Sequence, residues 1–440
     1  MARKRSRLAK SRKKVAQNAN PIAPAKSIST AEMFSGALHH HHQGDVKAAL
    51  RDYARVLRLD PGFADAYANM GVALRSVGRF GAAIACYRRA LVLGPETAGV
   101  HSNLGNALRD MDRYDEALAA LDVAISLRAG FADYHWDRAL TLLQMGNLES
   151  GFREYEWRWK LKNTPPTRFD QPVWDGSELK GRTIMLCREQ GMGDMIKFSR
   201  YAAMVKDLGG TVIVEAQPEL VRLLSTVPGV DKVVTHDAPV PRFDVQIPVL
   251  SLPRIFQTTL ETVPDRVPYV TAPELHNLRL SRPAASKLAV GIVWAGSPTQ
   301  VYDRRRSCPM DRFLALMGLA DVTFYSLQKG EAAKQLRLSG AAALVTDLSG
   351  RLNDFADTAA VLDQLDLVIA VDTAVAHLAG ALGRPVWILL SYAGDWRCPP
   401  GRKDSPWYPT MRLFQQDRPG DWDGVMARVL AALRDFPTPS

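Results

Sequence analysis

Two short stretches of this chain set hydroxyl, imidazole and carboxylate groups where a strand hands over to a helix. In residues 367–390, LVIAVDTAVAHLAGALGRPVWILL, a buried strand meets an Asp-Thr turn, a helix and a second buried strand introduced by Gly383, Arg384 and Pro385. Thr373 stands at the junction, so its hydroxyl and the backbone N–H groups of Ala374 and Val375 point at whatever occupies the carboxyl end of the strand. An anion fits there, because a helix N-terminus has unpaired donors and a partial positive charge. His377, at i+4 from Thr373, is expected to face the same crevice. The alternative for Asp372 and Thr373 is an ordinary helix cap. In the second stretch the strand TIMLC runs into CREQGMGDMIKFSRY, where Gly191 and Gly193 bracket a tight turn and Asp194 opens a helix. Two further segments place small residues and cations at strand ends. One is GIVWAGSP, containing Ser297 and followed by Arg304, Arg305 and Arg306; the other is SLQKG, containing Gln328 and Lys329.

Bulk properties fit a protein with an ordinary soluble core. The 440 residues are 47% hydrophobic and 23% charged, enough for two or three domains. No apolar run approaches the roughly 18–20 residues of a membrane span, and the first twenty residues lack the apolar core of a signal peptide. Cys86, Cys187, Cys308 and Cys398 show no Cys-x-x-Cys spacing, so neither a disulfide framework nor a zinc site is expected, and a reducing cytoplasm fits. The net charge of +10 is concentrated at one end: Arg3, Lys4, Arg5, Arg7, Lys10, Arg12, Lys13 and Lys14 account for eight of the positive charges, leaving about +2 elsewhere. Residues 1–29 therefore read as a basic, disordered tail, with contact to an anionic surface as the functional alternative and no specific nucleic-acid site. The tract His39 to His42 falls at the end of a helical segment, where polar residues commonly face water; metal chelation is its alternative.

Positioning elements follow from period and alternation. At a 34-residue offset Tyr67, Gly71, Leu74, Phe80, Ala83, Tyr87 and Ala90 fall over His101, Gly105, Leu108, Tyr114, Ala117, Leu121 and Ala124. Helix, turn, helix, with small residues where the helices touch and Pro61 and Pro95 at the closing position, resembles the tetratricopeptide repeat. About four repeats are expected over residues 30–163, the outer two degenerate, forming an α-solenoid whose concave face holds a peptide or partner protein. Trp157, Arg158 and Trp159 are expected to cap the array against the next domain. Pro165, Pro166, Pro172 and the Asp175-Gly176 turn mark a linker over residues 164–180. Beyond it, short apolar runs alternate with helical patterns, which indicates parallel sheets covered by helices. Two Rossmann-like lobes are expected, at 181–270 and 284–440, joined by a proline-rich linker at 271–283, with ligands at the carboxyl ends of their strands.

The α/β region resembles the GT-B glycosyltransferases, most closely the heptosyltransferase-like group. The resemblance is carried by Asp372, Thr373, His377, Leu378, Ala379 and the Gly383-x-Pro385 step, and by the EQGMGD stretch, over roughly residues 181–435. It implies that Asp372, Thr373, Ala374 and His377 contact the diphosphate of a nucleotide sugar. Lys329 and one of the three arginines, Arg304 foremost, would neutralise that diphosphate, and Gln328 and Ser297 would lie on the same donor side. The family's Gly-Asp turn carries its general base, which makes Asp194 the candidate to take the acceptor's proton, a contribution of roughly 10²- to 10⁴-fold, with helix capping as the alternative. Gln190 and Gly193 would lie on the acceptor side. The family carries a lysine soon after the small-residue turn, where this chain has arginines. No metal or further cofactor is implied, and the lone Asp421-x-Asp423 opens the final helix instead. Trp396, Trp407 and Tyr408 either cover a base or sugar ring or pack the lobes together. The expectation is a cytoplasmic, metal-independent glycosyltransferase, hexosyl or heptosyl in type, whose repeats recruit a protein acceptor such as flagellin or a surface protein. The alternatives are a non-catalytic scaffold and a transferase acting on lipopolysaccharide or another glycan.

Overall fold

The computed structural model describes residues 29–165, 168–189, 191–298, 306–399 and 401–437. The basic residues of the tail lie outside them. The chain forms two compact units, one up to Pro95 and one from Glu96 onward.

The first unit is two helical hairpins, α1 (Thr30–His42) with α2 (Val46–Leu59) and α3 (Ala64–Ser76) with α4 (Phe80–Leu93). Ser29 opens α1 with a capping box: its hydroxyl accepts from Glu32 N and its N–H donates to the Glu32 carboxylate at 2.7 Å. Ala37, Ala49, Tyr53 and Ala73 form its core. The helices approach closely because Gly71 has no side chain; a Cβ there would stand 2.5 Å from Tyr87 Cε1. The His39–His42 tract ends α1, with His40 Nδ1 2.9 Å from Asp52 and His41 Nδ1 3.2 Å from the Tyr53 hydroxyl. No cluster suited to holding a metal ion occurs among the described residues.

The second unit begins with two more hairpins, α5 (Ala98–Arg109) with α6 (Tyr114–Leu127) and α7 (Ala132–Gln144) with α8 (Leu148–Tyr155), closed by a 3-10 turn at Glu156–Lys160. The 34-residue period reappears in the backbone: Gly44, Gly78, Asp112 and Gly146 all adopt positive φ in the turns within successive hairpins. Asp is among the few side chains that tolerate this conformation.

Two parallel sheets follow. The first has order β3-β2-β1-β4, from β1 (Thr183–Cys187), β2 (Thr211–Ala216), β3 (Lys232–Thr235) and β4 (Val245–Pro248). The second has order β10-β9-β8-β5-β6-β7, from β5 (Leu288–Val293), β6 (Val322–Ser326), β7 (Val345–Asp347), β8 (Leu367–Val371), β9 (Val386–Leu390) and β10 (Met411–Gln415). Both orders reverse beside their first strand, β1 against β4 and β5 against β8, and each reversal opens a crevice at the carboxyl ends. The architecture is thus a helical-repeat segment followed by two Rossmann-like lobes, consistent with GT-B. The strands β3 and β10 were not expected from the sequence, being short, the first opening on exposed Lys232 and the second interrupted by exposed Arg412.

One hydrophobic cluster runs through this unit. It takes Leu143, Leu148, Phe152 and Tyr155 from the last hairpin, Trp174 and Phe198 from the first lobe, and Leu378, Trp396 and Trp407 from the second. The stretch after the last hairpin packs too: Val173 bridges to Gln246 beside β4, and Trp174 N donates to the Gln246 carbonyl at 2.8 Å. The two lobes are tied by Arg222, which reaches Asp354 at 2.9 Å and Asp357 at 3.0 Å, and by buried Arg200, which donates to the Trp407 and Pro264 carbonyls and the Tyr269 hydroxyl. Among the described residues no helix is long and apolar enough to cross a membrane.

Candidate active site

Helix α9 (Met192–Ser199) leaves β1 through the glycine turn, and α10 (Ala374–Ala381) leaves β8 through Thr373. The two helices touch because Gly193 is bare: a Cβ there would stand 2.9 Å from His377 Cδ2 and 3.4 Å from Ala374 Cα. This brings Gly193, Asp194, Asp372, Thr373, Ala374 and His377 into one locus at the carboxyl ends of β1 and β8.

Thr373 is the N-cap residue of α10, but its side chain makes no cap hydrogen bond. Its Oγ1 is buried without a hydrogen-bond partner, and so is His377 Nδ1. Two polar atoms left unsatisfied beside a helix N-terminus are costly, about 1–3 kcal/mol each, unless something else satisfies them. His377 Nε2 lies 3.4 Å from Asp372 Oδ1. Burial alone would raise the Asp372 carboxyl, but the His377 contact and the charges of His377, Arg397 and Arg306 hold it below the usual carboxylate range.

Asp194 does not cap α9. Gly191 is the cap residue, and Asp194 sits in the first turn with its backbone N–H donating to the Gly191 carbonyl at 3.0 Å. Its carboxylate is held by Arg397 in a two-point fork, Nε to Oδ1 at 2.7 Å and Nη2 to Oδ2 at 3.0 Å. Arg397 Nη1 donates to both oxygens of Asp395, at 3.0 and 3.1 Å. Burial opposes the charge on Arg397, but Asp194 and Asp395 more than offset it and bind its proton more tightly than usual. One turn along α9, Lys197 is fully buried, with no hydrogen-bond partner for its ammonium. Nζ lies 4.3 Å from the centre of the Trp407 ring and 5.1 Å from that of Trp396. Burial, then the neighbouring Arg397 charge, pushes the Lys197 pKa down to about 7.

The other donor-side candidates are placed differently. Gln328 is buried and fully engaged: Oε1 accepts from Trp294 N at 3.1 Å and Ala295 N at 2.9 Å, while Nε2 donates to the Ala295 and Lys329 carbonyls. It braces the turn after β5 and has no donor free for a ligand. Lys329 is exposed, and its ammonium donates to the Leu352 carbonyl. Ser297 is exposed at the end of that turn. Arg304 and Gln190 lie outside the described residues. Trp407, Tyr408 and Trp396 are buried in the shared core, so of the two roles open to them they pack the lobes together. Residues 307–311 with Ala295, Gln335, Leu338 and Ser339 line a cavity of about 520 Å³ beside the end of β5.

Behind the glycine turn lies a second buried network. Arg158, from the 3-10 turn that ends the last hairpin, forks onto Glu189 at 2.7 and 3.1 Å and also reaches Ser251 Oγ and Glu156, each at 2.7 Å. Glu189 further accepts from Leu250 N at 3.0 Å. Trp157 stacks on His135 with ring centres 3.6 Å apart. The Trp157–Arg158–Trp159 run therefore closes the array against the first lobe, as its sequence position predicts, and it also grips the loop that leads into α9.

Residues 73–111 match a TPR repeat family and residues 97–129 the tetratricopeptide repeat. Residues 318–402 match glycosyltransferase family 9 (heptosyltransferase). The chain joins tetratricopeptide repeats to a glycosyltransferase family 9 domain. Protein FlbA of Caulobacter vibrioides (strain ATCC 19089 / CIP 103742 / CB 15) is 27% identical over 327 residues, which are 68% of this chain and 54% of FlbA, so the chain spans about half the length of that relative. Among solved structures, a crystal structure of MamA protein is 26% identical, covering 30% of this chain and 73% of that one with a TM-score of 0.29. The TPR domain of Arabidopsis OM64 is 18% identical, covering 26% and 93% with a TM-score of 0.25. The family 9 match runs from the end of the first α/β crossover after β5 through Asp372, Thr373 and His377 to Arg397, and leaves Asp194 outside it. Arg397, Asp395 and Lys197 were not singled out from the sequence. Lys197 had a legible signal, three residues after Asp194 and so on the same side of α9; Arg397 had none, because its loop follows no period.

Proposed function

We propose that the glycosyltransferase family 9 domain moves a sugar from a nucleoside-diphosphate sugar to an acceptor hydroxyl, and that the acceptor is a protein recruited by the repeats. The observation that carries this reading is the pair of unpartnered buried atoms, Thr373 Oγ1 and His377 Nδ1, beside the N-terminus of α10, with the Asp194 carboxylate on the neighbouring helix. Donors arranged around a helix N-terminus suit a diphosphate. As the bond from the acceptor oxygen to the sugar C1 forms, Asp194 takes the acceptor's proton; the bond from C1 to the phosphate oxygen breaks, and its electron pair leaves with the nucleoside diphosphate. One base placed across from the leaving group supports inversion at C1. No metal is assigned a step, and the cavity beside β5 is the place for the nucleoside. The recruited protein, a surface protein or flagellin, would reach Asp194 from the side of the last repeats, and the four free thiols support a reducing compartment such as the cytoplasm.

The scaffold reading has one observation in its favour, that Arg397 closes both oxygens of Asp194. Calorimetric titration of the full chain with UDP, ADP, GDP, CDP and dTDP separates the two. One nucleotide should bind, and Thr373→Ala should weaken it by roughly tenfold. Turnover of the matching nucleotide sugar should fall about 10²- to 10⁴-fold in Asp194→Asn. Absence of binding by all five at millimolar concentration would establish the scaffold instead.

A further inference from the structure

Arg397 commits both ends of its guanidinium to carboxylates, Asp194 and Asp395, and its charge is felt at both strand-to-helix junctions. Its Nε and Nη2 close Asp194, while its charge acts on Asp372, the residue directly before Thr373. A carboxylate forked by a guanidinium has one of the two lone pairs on each oxygen engaged, so in this arrangement Arg397 covers the side of Asp194 that it holds and competes with an acceptor hydroxyl for it. Lys329 is spent on the Leu352 carbonyl and Gln328 on the turn after β5, so neither of these two reaches the buried Thr373 and His377 atoms. Arg397 belongs to an irregular stretch, residues 391–399, that follows β9, while its neighbour Trp396 is anchored in the core. Its side chain can therefore swing about a fixed base without unfolding a helix or strand.

We propose that Arg397 is a donor-sensing catalytic residue: it leaves Asp194 for the diphosphate at Thr373 and His377, and by leaving it uncovers the base. This rests on the donor-site reading above. The exchange is favourable because a diphosphate presents more negative charge than one carboxylate and offers the same oxygen geometry to a guanidinium. The consequence is an ordered enzyme. The base opens only when a donor is in place, so an acceptor arriving first meets a closed carboxylate.

The test is calorimetry on the full chain with the nucleoside diphosphate that binds best, using Asp194→Asn, Arg397→Ala, the double variant and Thr373→Ala. Arg397→Ala should weaken binding about tenfold or more, the loss of one charge-assisted contact. Asp194→Asn, close to isosteric and folded if any variant is, should tighten binding about tenfold because the guanidinium no longer has to be withdrawn from a rival anion. In the double variant the tightening should vanish. A gain from Asp194→Asn that persists without Arg397 would be simple relief of repulsion and would overturn the exchange. So would affinities for Asp194→Asn and Arg397→Ala within twofold of the unsubstituted chain while Thr373→Ala still weakens binding, an outcome that leaves the donor site standing. If no protein in the set binds any diphosphate, the donor site and the exchange fall together.

Discussion

At the scale of single residues the site is dominated by groups held away from their usual state. Lys197 carries the clearest consequence, since burial and Arg397 push its pKa down to about 7 against about 10.4 in an unfolded chain. Between those values the unfolded state binds more protons than the folded one, so stability rises with pH across that window; below about pH 7 the ammonium is charged in both states and the full cost of burying it remains. Lys197→Met keeps the length and removes the charge. Its melting temperature should exceed that of the unsubstituted chain at pH 6, and its profile should be flatter from pH 6 to 8.5. Above that, Cys187, Cys308 and Cys398, whose thiols burial pushes up, act in the opposite sense. Parallel profiles for the two proteins would show that Lys197 is not the titrating group. Asp372 instead keeps its charge: held low by His377 and its cationic neighbours, it stays an anion through the neutral range beside His377.

At the scale of elements, the decisive contact is α9 against α10, and it depends on a missing side chain. Gly193→Ala would drive a methyl to 2.9 Å from His377 Cδ2, closer than van der Waals contact allows. Overpacking of this kind costs about 1–3 kcal/mol, and here the relief is to part the helices that carry Asp194 and His377. A lowered melting temperature together with weakened nucleotide binding is expected; an unchanged melting temperature would mean the helices are free to separate. Much of this framework was legible in the sequence. Strand-to-helix turns advertise themselves through an apolar run ending in Gly, Asp or Thr, which is how β1 into α9 and β8 into α10 were read. The 34-residue period survived into the repeated left-handed turn residues at 44, 78, 112 and 146. What stayed hidden was contact across the fold. Arg397 lies 203 positions from Asp194, and Arg158 lies 31 from Glu189; no periodicity links such pairs. For the same reason Gln328 and Lys329 read as ligand donors, although a neighbouring turn and a distant carbonyl already claim them.

At the scale of the whole molecule, the compact unit that holds the transferase domain begins at Glu96, inside the array, not at its end. Leu143, Leu148, Phe152 and Tyr155 belong to the same core as Phe198 and Trp396, with Phe152 and Trp396 ring centres 5.6 Å apart. Four such side chains, at about 1.5–3 kcal/mol each, amount to much of the 5–15 kcal/mol that keeps a domain folded. A chain starting at residue 164 should therefore lack a cooperative thermal transition, whereas one starting at residue 96 should keep it; calorimetric melting of both checks this, and a cooperative melt of the shorter chain would show the last hairpins to be dispensable. Arg158 adds direction to the attachment, because it locks the final turn of the array to Glu189, a few residues before Asp194. Hairpins fastened in this way cannot drift with respect to the carboxylate. If the acceptor is the protein proposed above and is gripped along these last two hairpins, it would meet the transfer point at a constant offset from its anchor, so they would work as a ruler: the hydroxyl that is modified would be chosen by its count of residues from the docking segment, whatever its immediate neighbours.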